Sequence, residues 1–238
     1  MSGHSKWHNI KVKKMATDAK RGKTYTKYAR LIEIAAREGG GDLSSNVRLR
    51  TLVDSAKSES VPNANIDRAI KKGTGELKGD AMQEVVYEAY GPSGSAFILE
   101  CLTDNKNRSL SNVKTILSKN GGHLAANGSV LWMFERKGAV VAKGTWSDAL
   151  ELEMIEQGAD DIQQSEEHVR VLSDLHIWTA IRDFLTSKNF EIASAGLEYI
   201  AKQTAPVDRE AMTKIVALID ALDEDDDVSE VHTNAVSS

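Results

Sequence analysis

Residues 137–196 read KGAVVAKGTWSDALELEMIEQGADDIQQSEEHVRVLSDLHIWTAIRDFLTSKNFEIASAG, and the order of elements in this stretch decides the fold. Val140-Val141 is a short apolar strand, and Ser147 to Gln157 has the spacing of a helix. Residues 161–164 and 169–172 read as strands. Residues 175–187 form a second helix, with Ile177, Trp178, Ile181, Phe184 and Leu185 as its apolar side, and residues 190–193 are a closing strand. The succession is βαββαβ, a ferredoxin-like unit of about 60 residues.

Outward from it, the flanking segments supply another such unit. Strand 96–103, helix 109–120 and strand 129–136 precede the stretch; strand 197–203, helix 208–222 and strand 228–233 follow it. Together they make a second βαββαβ, interrupted after its second strand. A further strand, 85–90, is separated from 96–103 by the turn Gly91-Pro92-Ser93-Gly94. Upstream the period changes to 3.6. Tyr28, Leu31, Ile32 and Ala35 form the stripe of a helix running from an N-cap at Thr24 to Glu38, stopped by Gly39-Gly40-Gly41. Helix 45–59 carries Leu49, Leu52, Val53 and Ala56, and a third helix, capped by Asn63, carries Ile66, Ala69 and Ile70 before Gly73. The expected fold class is α+β: an N-terminal three-helix bundle followed by two ferredoxin-like α+β lobes, the third domain inserted into the second. The domains are residues 1–78, residues 79–136 with 197–238, and residues 137–196, with a Gly/Lys linker at 73–79.

Charge divides along the same lines. Residues 1–78 hold 17 Lys+Arg against 8 Asp+Glu, whereas residues 79–238 hold 13 against 27, so the net −5 conceals a basic head on acidic lobes. No apolar run is long enough to span a membrane, and residues 1–8 lack the apolar core of a secretory signal. The single cysteine, Cys101, permits no internal disulfide. A cytoplasmic protein is the expectation.

The densest basic segment is residues 2–23, read as a mobile arm: Lys6, Lys11, Lys13, Lys14, Lys20, Arg21 and Lys23 accompany one acid, Asp18. His4, Trp7 and His8 lie among them. Cations neutralise phosphates and flat rings stack on unpaired bases, so the combination points to nucleic acid. Lys27 and Arg30 continue the charge into the first helix, and Arg48, Arg50, Lys71 and Lys72 carry it onto the bundle. The alternative is a solvated tail, or one that folds back on the acidic lobes. At residues 104–108, Asp-Asn-Lys-Asn-Arg, a strand meets a helix; Lys106, Arg108 and free helix N–H groups could hold a phosphate, or the loop is ordinary turn chemistry. The run Asp223-Glu-Asp-Asp-Asp227 reads as a solvated helix end, since its spacing fits no metal loop. Cys101 reads as a buried, inert strand residue. No nucleophile elbow, dinucleotide fingerprint or metal spacing occurs, so no enzyme activity, cofactor, metal or small-molecule substrate is expected.

Several motifs in register resemble the YebC/PmpR family: Gly3-His-Ser-Lys-Trp7, Asp18-Ala-Lys-Arg-Gly-Lys23, Ala35-Ala-Arg-Glu-Gly-Gly-Gly-Asp42, Tyr87-Glu-Ala-Tyr-Gly-Pro92, Glu100-Cys-Leu-Thr-Asp104, Gly121-Gly122, Gly128-Ser129-Val130 and Leu218-Ile-Asp-Ala-Leu-Asp223. The resemblance spans nearly the whole chain and departs mildly at Ser2, His8, Val12 and Lys106. It implies a non-enzymatic, cytoplasmic, three-domain regulator. Family roles differ: some bacterial members act on promoter DNA as transcriptional regulators, others on the ribosome as translation factors easing proline-rich stretches. Mitochondrial relatives activate translation. The residues themselves offer no turn-and-recognition-helix signature, and a Lys/His/Trp arm suits irregular or single-stranded RNA. A ribosome-bound factor contacting rRNA or tRNA is therefore favoured, with a promoter-DNA regulator as the alternative.

Overall fold

A computed structural model describes residues 18–165 and 168–238; residues 2–17 of the expected arm lie outside the described residues. The head comprises α1 (Asp18–Gly39), α2 (Val47–Ser58) and α3 (Asn63–Gly73). α1 starts ahead of the expected cap Thr24, because Lys20, Arg21 and Lys23 are good helix formers that carry the coil upstream. It ends where Gly40 turns to φ +82°, a left-handed conformation that glycine takes without a Cβ clash. Asn46 then starts α2: its side-chain oxygen accepts from Leu49 N at 3.0 Å, and its amide donates to the Ala35 and Gly40 carbonyls, each at 2.8 Å. One side chain thus satisfies orphan groups at both helix ends. The head has its own apolar core, built from Ile32, Ala35, Leu49, Val53, Ala56, Ile66 and Ala69.

After the head the order is β1 (Gln83–Tyr90), β2 (Ala96–Thr103), α4 (Lys106–Lys119), β3 (His123–Leu124), β4 (Phe134–Lys143), α5 (Asp148–Glu156), β5 (Ala159–Gln164), β6 (Val169–Ser173), α6 (Trp178–Ser187), β7 (Glu191–Ala201), β8 (Ala205–Val207), α7 (Arg209–Asp223), β9 (Val228–Thr233) and β10 (Ala235–Ser237). Residues 131–208 with 234–238 form one compact unit, and residues 18–130 with 209–233 form the other.

In the unit that includes the head, the strand order is β3-β1-β2-β9 with antiparallel neighbours. β2 and β3 therefore run parallel with β1 between them, and α4 makes the crossover. Phe97, Leu99 and Cys101 of β2 are buried together with Val113 and Leu117 of α4 and Ile215, Leu218, Ile219 and Leu222 of α7. In the other unit the sequence order βαββαβ folds with strand order β5-β6-β4-β7, the ferredoxin-like arrangement read from residues 137–196. Its core gathers Val140, Met154, Val171, Ile181, Leu185 and Phe190. Beside it β8 and β10 form a short parallel pair.

The sequence reading misplaced four strands. Expected strands 129–136 and 140–141 are one strand, β4, preceded by a 3-10 turn at Leu131–Met133, and 190–193 with 197–203 are likewise one, β7. The two pair from Phe134↔Ala201 to Lys143↔Glu191, so both belong to the ferredoxin-like sheet. The Glu135-Arg-Lys137 and Ala193-Ser-Ala-Gly196 segments interrupt the apolar alternation, which made each strand look like two. The vacated places in the other sheet are filled by β1, as a central strand, and by the two-residue β3.

Candidate nucleic-acid interface

Three cations recur on one side of α1 at spacings of four and three: Lys23, Lys27 and Arg30. All three face the acidic segment that follows α7. Lys23 Nζ donates to the Asp223 carbonyl and, at 3.2 Å, to that of Asp225. Burial lowers its pKa, outweighing the carboxylates of Asp223, Asp225, Asp226 and Glu230, which raise it. Lys27 Nζ reaches Glu230 Oε1 at 2.5 Å. Arg30 Nη1 donates to the Leu102 carbonyl at 2.8 Å and the Asp226 carbonyl at 2.6 Å, and stands 3.4 Å from Asp227 Oδ1. At the other end of the head, Arg48 pairs with Glu38 and with Glu84 of β1, and Arg37 donates to the Met82 carbonyl at 2.7 Å.

The receiving surface is one face of the first sheet. Cross-strand register places Glu84 opposite Leu102, Glu88 opposite Ile98 and Glu100 opposite Glu230, so glutamates share that face. Each has a partner: Arg48 for Glu84, Lys27 for Glu230, His232 Nε2 at 2.8 Å for Glu100, and for Glu88 the backbone amides of Gly128 and Val130, at 2.5 and 2.6 Å.

Asp227 is the meeting point. Its carboxylate is 3% exposed and accepts from Ser109 Oγ at 2.7 Å, Arg108 Nη2 at 2.9 Å and Thr103 Oγ1 at 3.1 Å. Burial raises its pKa, but the hydrogen bonds from Ser109, Arg108 and Thr103 and the charge of Arg108 outweigh that and hold it below the usual carboxylate value. Asp104, Asn105 and Arg108 of the 104–108 loop are thus committed internally. Asn105 caps α4 by accepting from Arg108 N at 3.1 Å, and Arg108 also bonds Asp104 at 2.7 Å. The expected solvated end at 223–227 is solvated only in part, since its last residue is buried.

Of the residues expected to meet nucleic acid, His4, Lys6, Trp7, His8, Lys11, Lys13 and Lys14 lie outside the described residues, and Lys20 and Arg21 are placed only as backbone of α1. Lys23, Lys27, Arg30, Arg48 and Arg108 are brought together with carboxylates and carbonyls of their own unit. Lys106 is exposed in the first turn of α4 without an ion-pair partner among the described residues. Arg68, Lys71 and Lys72 are likewise exposed and unpaired among the described residues, and together occupy the solvent side of α3. Sequence reasoning passed over Arg68 and missed Thr103, Ser109, Asp227 and Glu230 as partners. The only signal was the motif ending in Thr103-Asp104, since the other partners lie far along the chain.

Among the described residues, no group of three or more His, Cys, Asp or Glu is placed to hold a metal, and no helix is long and apolar enough to cross a membrane. Residues 5–76 match the model of the TACO1/YebC protein N-terminal domain, and residues 82–235 that of the TACO1/YebC second and third domain. The chain belongs to the TACO1/YebC family. The gap between the two matches falls in the exposed segment after α3. Curated TACO1/YebC relatives named "Probable transcriptional regulatory protein" include one from Pseudothermotoga lettingae, 45% identical over 98% of this chain and 93% of its own length. The YrbC protein of Bacillus subtilis is 44% identical over 98% and 99%. A crystal structure titled as a conserved hypothetical protein, Aq1575 from Aquifex aeolicus, superposes with a TM-score of 0.84 at 37% identity, covering 93% of this chain and 92% of that one.

Proposed function

We propose that this TACO1/YebC protein is a non-enzymatic, nucleic-acid-binding regulator of gene expression that works on the ribosome, contacting rRNA or tRNA. The observation that carries it is the division among the cations. Lys23, Lys27, Arg30, Arg48 and Arg108 are used internally, whereas Arg68, Lys71, Lys72 and Lys106 are among the exposed cations with no ion-pair partner among the described residues, the first three of them grouped on one helix. Lys71 and Lys72 suit the negative end of the α3 dipole, but Lys106 sits at the positive end of α4, where a cation costs stability unless something outside the chain uses it. Phosphate is the fitting counter-charge. Lack of chemistry of its own is in keeping with Cys101: burial first, then Asp225, Asp227 and Glu100, push its thiol up to about 12.

RNA is favoured over duplex DNA because a lysine-rich segment with Trp7 and histidines can stack on unpaired bases. Promoter DNA is the second reading, supported by the names of the curated relatives. UV crosslinking in cells followed by sequencing separates them. Crosslinks in rRNA or tRNA with ribosome co-sedimentation are expected, and crosslinks confined to promoters overturn the ribosomal reading.

A further inference from the structure

The junction between the head and the first sheet differs in kind from the cores on either side. The head's apolar cluster is drawn from residues 25–70 alone. Ile34, in the middle of the same stripe of α1, and Leu102 on the receiving face are buried, but the contacts that flank them are polar: Lys23 on the Asp223 and Asp225 carbonyls, Lys27 on Glu230, Arg30 on the Leu102 and Asp226 carbonyls, Arg37 on the Met82 carbonyl, and Arg48 on Glu84. The covalent connection, residues 74–81, is exposed throughout. Partly solvated ion pairs contribute little each and weaken with salt, unlike apolar burial. The oxygen acceptors around Lys23, Lys27 and Arg30 are ones that the anionic oxygens of a phosphodiester backbone can replace.

We infer that the segment 223–230 is an intramolecular competitor for nucleic acid: it holds the α1 cations while no polyanion is present, and a phosphate backbone displaces it and releases the head. This rests on the nucleic-acid reading above and adds a regulated step to it. The closed state spends three cations on the protein's own backbone carbonyls and on Glu230, and the open state gives them to phosphate. Asp227 is not the releasable element, because Thr103, Ser109 and Arg108 hold it within the sheet unit.

The test compares the full chain with the triple variant Asp223→Asn, Asp226→Asn, Glu230→Gln, which keeps the backbone carbonyls and removes the carboxylate that pairs with Lys27 and charges that favour a cation at Lys23. A charge-matched control, Asp148→Asn, Glu151→Gln, Glu156→Gln, removes three carboxylates from α5 in the other unit. The probe is a 20-nucleotide single-stranded RNA. Dyes on Arg50→Cys and Lys119→Cys in a Cys101→Ala background report the head position by energy transfer. Expected are about tenfold tighter RNA binding by the triple variant over the control at low salt, and a fall in transfer both on RNA addition and in the free triple variant. Equal gains by variant and control, with transfer unchanged, overturn the clasp while leaving RNA binding standing. Transfer that falls in the triple variant, with no RNA binding by the unaltered chain, upholds a charge-held junction and removes the nucleic-acid reading instead.

Discussion

At the scale of single residues, Asp227 carries the most. It is buried and satisfied by three donors, so its removal takes an acceptor from each of Arg108, Thr103 and Ser109. Asp227→Ala should cost roughly 2–4 kcal/mol, read as a shift of the urea midpoint. Its pKa is lowered in the folded state, so its contribution is fully present above the unfolded value and fades as pH falls through the lowered one. The unaltered protein should lose that increment as pH falls below the ordinary aspartate value, and Asp227→Asn should lack it at every pH. A midpoint difference between the two that does not change over this range would refute the assignment. None of this was legible beforehand. The acidic run at 223–227 reads as solvated because composition cannot tell which of five neighbouring carboxylates turns inward. Its partners, Arg30, Thr103, Arg108 and Ser109, are long-range in sequence.

For the elements, legibility followed locality. Helices came through because their apolar stripe and caps lie within a few residues: α2, α3, α4 and α7 begin and end close to where spacing placed them. β4 and β7 were cut in two because only pairing with a distant partner makes each continuous. Close approach of helices also escapes a one-dimensional reading. Gly73 ends α3 against α1, where a Cβ would come within 2.4 Å of the Glu33 carbonyl oxygen and 2.7 Å of Ala36 Cβ. Backbone cannot give way as a flexible side chain does, so Gly73→Ala should destabilise the head by about 1–3 kcal/mol. Amide exchange should then quicken in α1 to α3 while α5 and α6 keep their protection. Uniform quickening across both units would show that the effect is not local.

On the scale of the whole molecule, the basic head and acidic remainder were visible in the charge sum, but not that much of that opposition is consumed internally. If about six phosphate contacts remain available, RNA affinity should fall about 10³-fold between about 50 and 200 mM salt. Replacing Arg68, Lys71 and Lys72 by Gln should flatten that dependence, whereas replacing Lys114 and Lys119 of α4 should not. A slope unchanged by the first set places the phosphate contacts elsewhere on the chain.

The interleaved connectivity also sets a timetable for biosynthesis. The β1–β2 hairpin and α4 leave the ribosome well before β9, and the ferredoxin-like sheet is made in between. Throughout that interval β2, whose eight residues are almost all buried in the finished protein, has an unpaired edge. An apolar strand with an open edge is a template for the wrong partner. When residues 227–233 emerge, one short segment closes the edge with β9 and delivers Asp227 to Arg108. The first lobe of the chain is thus closed only after the ferredoxin-like sheet has been made, and a nascent chain stalled between residues 210 and 226 should be the species that most needs a chaperone.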